Sequence, residues 1–291
     1  MRRYTRTWPA MICVWVAMPV FAAIDLDRSL DLELKVKIIP EPRSNPRNPN
    51  VNLYTRFKYR LFVPPDHEEG GRKFPLVLFL HGAGERGDDN LAQVTHHIDG
   101  LIEATQSQAY SAYLLAPQLP ANNPRDTNEN PDLPQSNDEL FKRILDTVLS
   151  DYEDVDTSRI YVTGLSLGGF GTFDMIAEFP DLFAASVPLS GGGDPRTAEI
   201  IKDVPLWIFH SRTDNVVPFV LSQIMFDAVT AAEGDPMLTE MPFEGHGGWD
   251  AVYRDENHEL YPWLFRQSIP EPSTIACLAG FLCLSVIRRR R

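Results

Sequence analysis

Between Tyr161 and Gly171 the chain reads Tyr-Val-Thr-Gly-Leu-Ser-Leu-Gly-Gly-Phe-Gly, and this stretch restricts the possible folds more than any other. The residues just before it, Arg159 to Val162, are β-branched and aromatic and predict a buried strand; Gly171 to Glu178 predicts the start of a helix. A Gly-x-Ser-x-Gly element seated between strand and helix makes a turn so tight that the serine occupies a strained backbone region with its hydroxyl at the sheet's edge. Gly164 and Gly168 suit such a turn because a Cβ at either position would meet the crossing strand or helix. The helix N-terminus behind Ser166 brings unpaired N–H groups and positive dipole potential. Ser166 is therefore a candidate nucleophile, the plainer alternative being a Gly-rich strand-to-helix turn with an incidental serine.

Around this centre the apolar runs alternate between two periods. Leu30 to Ile39 and Tyr54 to Val63 alternate as strands, and Phe74 to Leu80 is wholly apolar, as in a strand buried on both faces of a parallel sheet. Further strands are expected over Ala112 to Ala116, Phe183 to Pro188, Val204 to Phe209 and Met237 to Phe243, with helices over Asn90 to Ala104, Ser136 to Leu149, Pro218 to Ala232 and Tyr253 to Arg266. There is no internal repeat. The alternation of strand and helix predicts one α/β domain with a mostly parallel, doubly wound sheet over residues 24–268. Pro40 to Asn50 is an irregular connection rich in Pro and Asn. Gln118 to Gln135 is a Pro/Asn/Asp-rich loop after a strand's C-terminal end, where open sheets bind ligands, so it reads either as substrate-facing or as plain surface disorder.

The two ends differ from the middle. Residues 1–23 begin with Arg2, Arg3 and Arg6, run apolar from Met11 and finish in small residues, the layout of a signal peptide cleaved near Ala22 or Ala23; an uncleaved membrane anchor is the alternative. Residues 269–291 carry Pro270-Glu271-Pro272-Ser273-Thr274, an apolar run from Ile275 to Ile287, and Arg288 to Arg291. That run reaches only about 20 Å as a helix, short of a span of about 30 Å. The arginines would stay cytoplasmic, holding everything upstream outside. The formal net charge of −13 is held down by these seven terminal arginines, which face a single terminal acid, so the middle is more acidic still. Such a surface repels phosphate backbones, and nucleic acid is not an expected partner. Cys13, Cys277 and Cys283 all lie in the two ends, leaving the middle without a disulfide, a thiolate metal site or a catalytic cysteine.

A serine hydroxyl needs a base, and the base an orienting acid. The acid candidate is Asp214, in His210-Ser211-Arg212-Thr213-Asp214-Asn215-Val216-Val217-Pro218 after an apolar strand, with Asp194 as its rival. The base candidate is His246, in Glu244-Gly245-His246-Gly247-Gly248-Trp249, where glycines leave the loop free to bring the ring over the serine. His258 falls in a helical pattern, His67 in an early turn, and His96 and His97 read as surface residues. An oxyanion hole would combine the Leu167 N–H with one from Gly82 or Ala83, in the loop after the Phe74 strand. Gly82 to Gly87 also spells Gly-x-Gly-x-x-Gly, but the acid that a dinucleotide site needs about twenty residues on is missing, since Asp99 sits in a helical stretch. His81 then reads as a structural loop residue.

Leu78 to Asn90, Gly164 to Phe173, Phe183 to Gly193, His210 to Pro218 and Gly245 to Trp249 together resemble the α/β-hydrolase esterases. More narrowly they resemble the secreted bacterial group catalogued as predicted peptidases, related to polyhydroxybutyrate depolymerases and to feruloyl and acetyl-xylan esterases. The likeness spans about Tyr54 to Arg266. It implies an α/β-hydrolase fold, the chain order Ser166, Asp214, His246 for a catalytic triad, Leu167 with Gly82 and Ala83 as oxyanion hole, and an esterase that requires neither metal nor organic cofactor. His210-Ser211 stands where many relatives have His-Gly, a departure expected to matter little. The C-terminal series is similar to a PEP-CTERM sorting tail, which implies handling by signal peptidase and an exosortase, delivery to the cell surface or beyond, and membrane contact only through the tail; an ordinary tail anchor is the alternative. A serine peptidase of the same fold and a silent adhesion module remain as other functional readings.

Overall fold

The computed structural model describes residues 29–38, 53–67, 71–121, 137–255 and 259–270. Both termini, the Pro40 to Asn50 connection, most of the Gln118 to Gln135 loop and His258 fall outside these residues. Eight strands are present among them: β1 (Ser29–Ile38), β2 (Leu53–Phe62), β3 (Phe74–Leu80), β4 (Tyr113–Pro117), β5 (Val155–Leu165), β6 (Ala185–Leu189), β7 (Trp207–Ser211) and β8 (Met237–Met241). They form one sheet in the order β1-β2-β4-β3-β5-β6-β7-β8. From β4 to β8 every neighbouring pair is parallel, while β2 runs antiparallel to both β1 and β4.

Why β3 is apolar throughout is visible in its neighbours. Phe74, Leu76, Leu78 and Leu80 face one cluster and Val77 and Phe79 the other, as a period of two requires. The first cluster is covered by α3 (Asn137–Asp151), α4 (Leu167–Glu178) and α6 (Val220–Ala231), which contribute Ile144, Phe173 and Met225, and by Ile201 of the short α5 (Ala198–Ile201). The opposite face carries α1 (Ala92–Thr95), α2 (Asp99–Thr105), α7 (Trp249–Arg254) and α8 (Leu260–Leu264), through Val94, Leu101, Tyr253 and Leu264. With apolar layers on both sides, the polar side chains that can meet a ligand are left to strand ends and loops.

Two expected helices are broken. Asn90 to Ala104 becomes α1 and α2, because Asn90 and His97 take left-handed backbone (φ 53° and 67°) that an α-helix cannot continue through. Asn90 is fully buried and fixed there by its amide, which donates to the Tyr59 carbonyl (3.0 Å) and accepts from Gln93 (2.6 Å). Tyr253 to Arg266 becomes α7 and α8, interrupted at Asp255 (φ 51°), whose carboxylate accepts from the backbone N–H groups of Glu259 (2.8 Å) and Leu260 (2.9 Å). The remaining elements fall where expected with ends moved by a few residues, except that β5 starts earlier, at Val155, and α4 starts at Leu167, directly after the serine.

Candidate active site

Ser166 alone makes the turn from β5 to α4, at φ 53° and ψ −114°. Such a conformation costs a residue with a Cβ about 1–3 kcal/mol and persists only where its surroundings dictate it. The surroundings are close. A Cβ on Gly168 would sit 1.9 Å from the Leu80 carbonyl oxygen, and one on Gly164 would sit 2.5 Å from the Gly168 oxygen and 2.6 Å from that of Leu80. The two glycines thus let the start of α4, the end of β5 and the end of β3 touch, while the Ser166 N–H donates to the Leu189 carbonyl of β6 (2.9 Å). Leu167, as the first residue of α4, has an N–H with no intrahelical acceptor.

The loops after β7 and β8 meet over this serine. His246 Nε2 lies 2.9 Å from Ser166 Oγ, and His246 Nδ1 lies 2.6 Å from Asp214 Oδ2. Asp214 Oδ1 accepts from the N–H groups of Val216 and Val217, each at 2.9 Å. Burial pushes the Asp214 carboxyl up, but the hydrogen bonds from His246, Val216 and Val217 outweigh it and hold the group below the ordinary carboxylate range. An ionised Asp214 favours the His246 tautomer with hydrogen on Nδ1 and leaves Nε2 free to take the serine proton. Gly245 and Gly248, in the loop between β8 and α7, both adopt positive φ (78° and 82°), and the Gly245 N–H donates to Thr213 Oγ1 (3.1 Å). Trp249 stands edge-on to the imidazole at 4.9 Å between ring centres and is itself held by donation to Ser190 Oγ (2.9 Å).

The loop after β3 lies alongside. A Cβ on Gly82 would be 3.7 Å from Ser166 Cβ, so the Gly82 backbone flanks Ser166, and Ala83 opens a single 3-10 turn, Ala83–Glu85. That turn is not the helix start that a dinucleotide-binding loop requires. His81 is buried: its Nδ1 donates to the Gly82 carbonyl (2.5 Å) and its Nε2 accepts from the Leu119 N–H (2.9 Å). Burial holds its pKa below the ordinary histidine value, so the ring is a neutral tie between two loops. Beside Leu167 opens a small cavity of about 70 Å³, lined among others by His81, Leu119, Asn137, Phe141 and Phe170. Leu119 and Asn137 stand at either side of the segment that lies outside the described residues.

The other sequence candidates are elsewhere. Asp194 is paired with Arg196 and accepts from the Arg196 N–H at the start of the 3-10 turn Pro195–Thr197, a capping role. His97 is not a simple surface residue, since its Nδ1 bonds Asp250 (2.8 Å) and its ring meets that of Trp249 at 5.0 Å; His96 is exposed. Three contributors were not assigned from sequence: Trp249, His210, whose Nε2 is 3.3 Å from Asp214 Oδ2, and Ser211. The Ser211 hydroxyl donates to the Phe243 carbonyl and ties the Asp214 loop to the His246 loop, so the departure from His-Gly is structurally used. Among the described residues no cluster of three or more His, Cys, Asp or Glu side chains could hold a metal ion.

A serine on a strained strand-to-helix turn, an acid after β7 and a histidine after β8, all on a mostly parallel sheet, define the architecture. The chain has the α/β-hydrolase fold. A crystal structure of a thermostable esterase superposes on it with a TM-score of 0.67 at 37% identity, covering 84% of this chain and 64% of that one. Sequence similarity runs to poly(3-hydroxyalkanoate) depolymerase C of Paucimonas lemoignei, 30% identical over 124 residues (40% of this chain, 28% of that protein). It also runs to a bifunctional acetylxylan esterase/xylanase of Neocallimastix patriciarum, 29% identical over 77 residues (26% of this chain, 11% of that protein). In each case the chain spans less than two thirds of the relative's own length. No protein-family model matches the chain.

Proposed function

We propose that the protein is an exported serine hydrolase of carboxylic esters. The observation that carries this reading is the unbroken series from Ser166 Oγ through His246 to a fully buried Asp214 carboxylate, at 2.9 and 2.6 Å. In the mechanism, Ser166 attacks the ester carbonyl as His246 takes its proton. The Leu167 N–H, with one from Gly82 or Ala83, receives the developing oxyanion. His246 then protonates the departing alcohol, and water, activated by the same imidazole, releases the acyl group and restores the serine. Asp214 stays ionised throughout and stabilises the imidazolium.

An ester rather than a peptide substrate is favoured by the esterases among the similar proteins. Acylated polysaccharide is the proposed substrate class, with the cavity beside Leu167 and the Gln118 to Gln135 loop as the place where the acyl or alcohol part is selected. Export by the N-terminal signal and sorting through the C-terminal tail to the cell surface or beyond follow from the sequence pattern; no helix among the described residues is long and apolar enough to cross a membrane. The test compares short p-nitrophenyl esters with peptide p-nitroanilides, and labelling by a fluorophosphonate probe in the native protein and Ser166→Ala. Ester turnover and labelling that both vanish in Ser166→Ala are expected. Turnover of anilides alone would replace the esterase by a peptidase, and a native protein that neither labels nor turns over ester would leave a silent binding module.

A further inference from the structure

Near its C-terminal end β7 holds a polar side chain that the mechanism above does not use. His210 is fully buried, yet both ring nitrogens have partners. Nε2 is 2.9 Å from the Val217 carbonyl oxygen and 3.3 Å from Asp214 Oδ2; Nδ1 is 2.8 Å from Ser222 Oγ. The Val217 carbonyl can only accept, so Nε2 carries a hydrogen. Burial holds the imidazole pKa below its ordinary value and keeps the ring neutral. Nδ1 is therefore an acceptor, and the Ser222 hydroxyl is the donor within its reach. The Gly191 carbonyl, 2.9 Å from the same hydroxyl, is the other acceptor within its reach.

The Val217 carbonyl thus fixes the tautomer, and the Nε2–H is directed at the acid's own loop. That loop is gripped twice: the Val217 carbonyl accepts from His210, and the Val217 N–H donates to Asp214 Oδ1. The same Asp214 Oδ2 that receives the His246 Nδ1–H has His210 Nε2 as its second neighbour. A residue needed only to fill volume at a fully buried site would be apolar, since a buried imidazole gains nothing over leucine unless its nitrogens are used.

We infer that His210 is a positioning residue of the proposed triad, holding the Asp214 carboxylate, directly and through Val217, in the orientation that His246 requires. The inference rests on the reading of Ser166, His246 and Asp214 as catalytic. It assigns the histidine a role in kcat rather than in substrate binding, because His210 does not reach the serine or the cavity beside Leu167.

The experiment separates the two nitrogens. In His210→Gln the side-chain amide donor falls near the former Nε2 and can still serve Val217 and Asp214; in His210→Asn it falls near the former Nδ1 and reaches only toward Ser222. Kinetics on a short p-nitrophenyl ester, fluorophosphonate labelling rates and the low-field proton NMR signal of the His246–Asp214 hydrogen bond are measured in native protein and both variants. His210→Gln should keep kcat within about 3-fold, whereas His210→Asn should lose roughly 30- to 100-fold in kcat and in labelling rate with KM unchanged, the size expected when a reacting group is misplaced by a fraction of an ångström. The low-field signal should shift or broaden in His210→Asn and persist in His210→Gln. Equal activity of the two variants, a loss carried by KM, or an unaltered signal in His210→Asn overturns the inference while leaving the hydrolase reading intact. Native protein that does not label overturns both.

Discussion

Gly168→Ala isolates the contact on which the turn at Ser166 is built. The new Cβ would lie 1.9 Å from the Leu80 carbonyl oxygen and 2.4 Å from its carbon, where real Cβ contacts essentially never fall below 3.0 Å. One partner must retreat by about 1.1 Å. Neither can do so by turning a side chain, because both atoms belong to the backbone of β3, which is paired on one side with β4 and on the other with β5, Leu80 itself standing beside Gly164. Overpacking of cores typically costs about 1–3 kcal/mol, and a rigid backbone partner puts this case at or above the upper end, about 3 kcal/mol. For a domain of this size that lowers the melting temperature by roughly 6–12 °C. Gly171→Ala, one turn along the same helix, is the control. Its Cβ would meet only the Leu80 Cδ1 methyl, at 3.2 Å, and it gains helix propensity of about 0.5–1 kcal/mol, so its melting temperature should stay within about 3 °C of the native value. Thermal unfolding by circular dichroism reads both without reference to any substrate. Equal melting temperatures for the two variants, or a Gly168→Ala protein as stable as the native one, would refute the claim that close backbone approach dictates these glycines.

Two further outcomes follow from the same geometry. His81 and His210 are buried and neutral, with folded pKa values held below the unfolded value of about 6.5, so the unfolded chain takes up their protons first. Their contribution is complete above about pH 6.5 and is lost as the pH falls below it; melting temperatures measured from pH 7 to 5 should fall, and fall less steeply in His210→Gln. Asp255→Ala removes the acceptor of the Glu259 and Leu260 N–H groups and puts alanine at φ 51°, an expected cost of about 2–3 kcal/mol, whereas Asp255→Asn, which tolerates that backbone and keeps one oxygen, should retain most of the stability in the same melting assay.

The sequence by itself determined the elements whose signals are local. A wholly apolar β3, a serine between two glycines at a strand-to-helix junction, and an acid and a histidine just past later strands each follow from short-range sterics and burial, so the sheet and the three side chains at its edge were legible. The breaks at His97 and Asp255 were not, because each depends on a partner distant in the chain or on a capping carboxylate, and the apolar period runs straight through them. His210, Ser211 and Trp249 were equally hidden. A histidine in an apolar strand carries no sign of which carboxylate it will face, and a serine beside it no sign that the Phe243 carbonyl, 32 residues on, will come within reach. Local stereochemistry chose the turn and the residue types; the distances among Ser166, His246, Asp214 and His210 exist only because parallel strands far apart in sequence end at one edge of a single sheet.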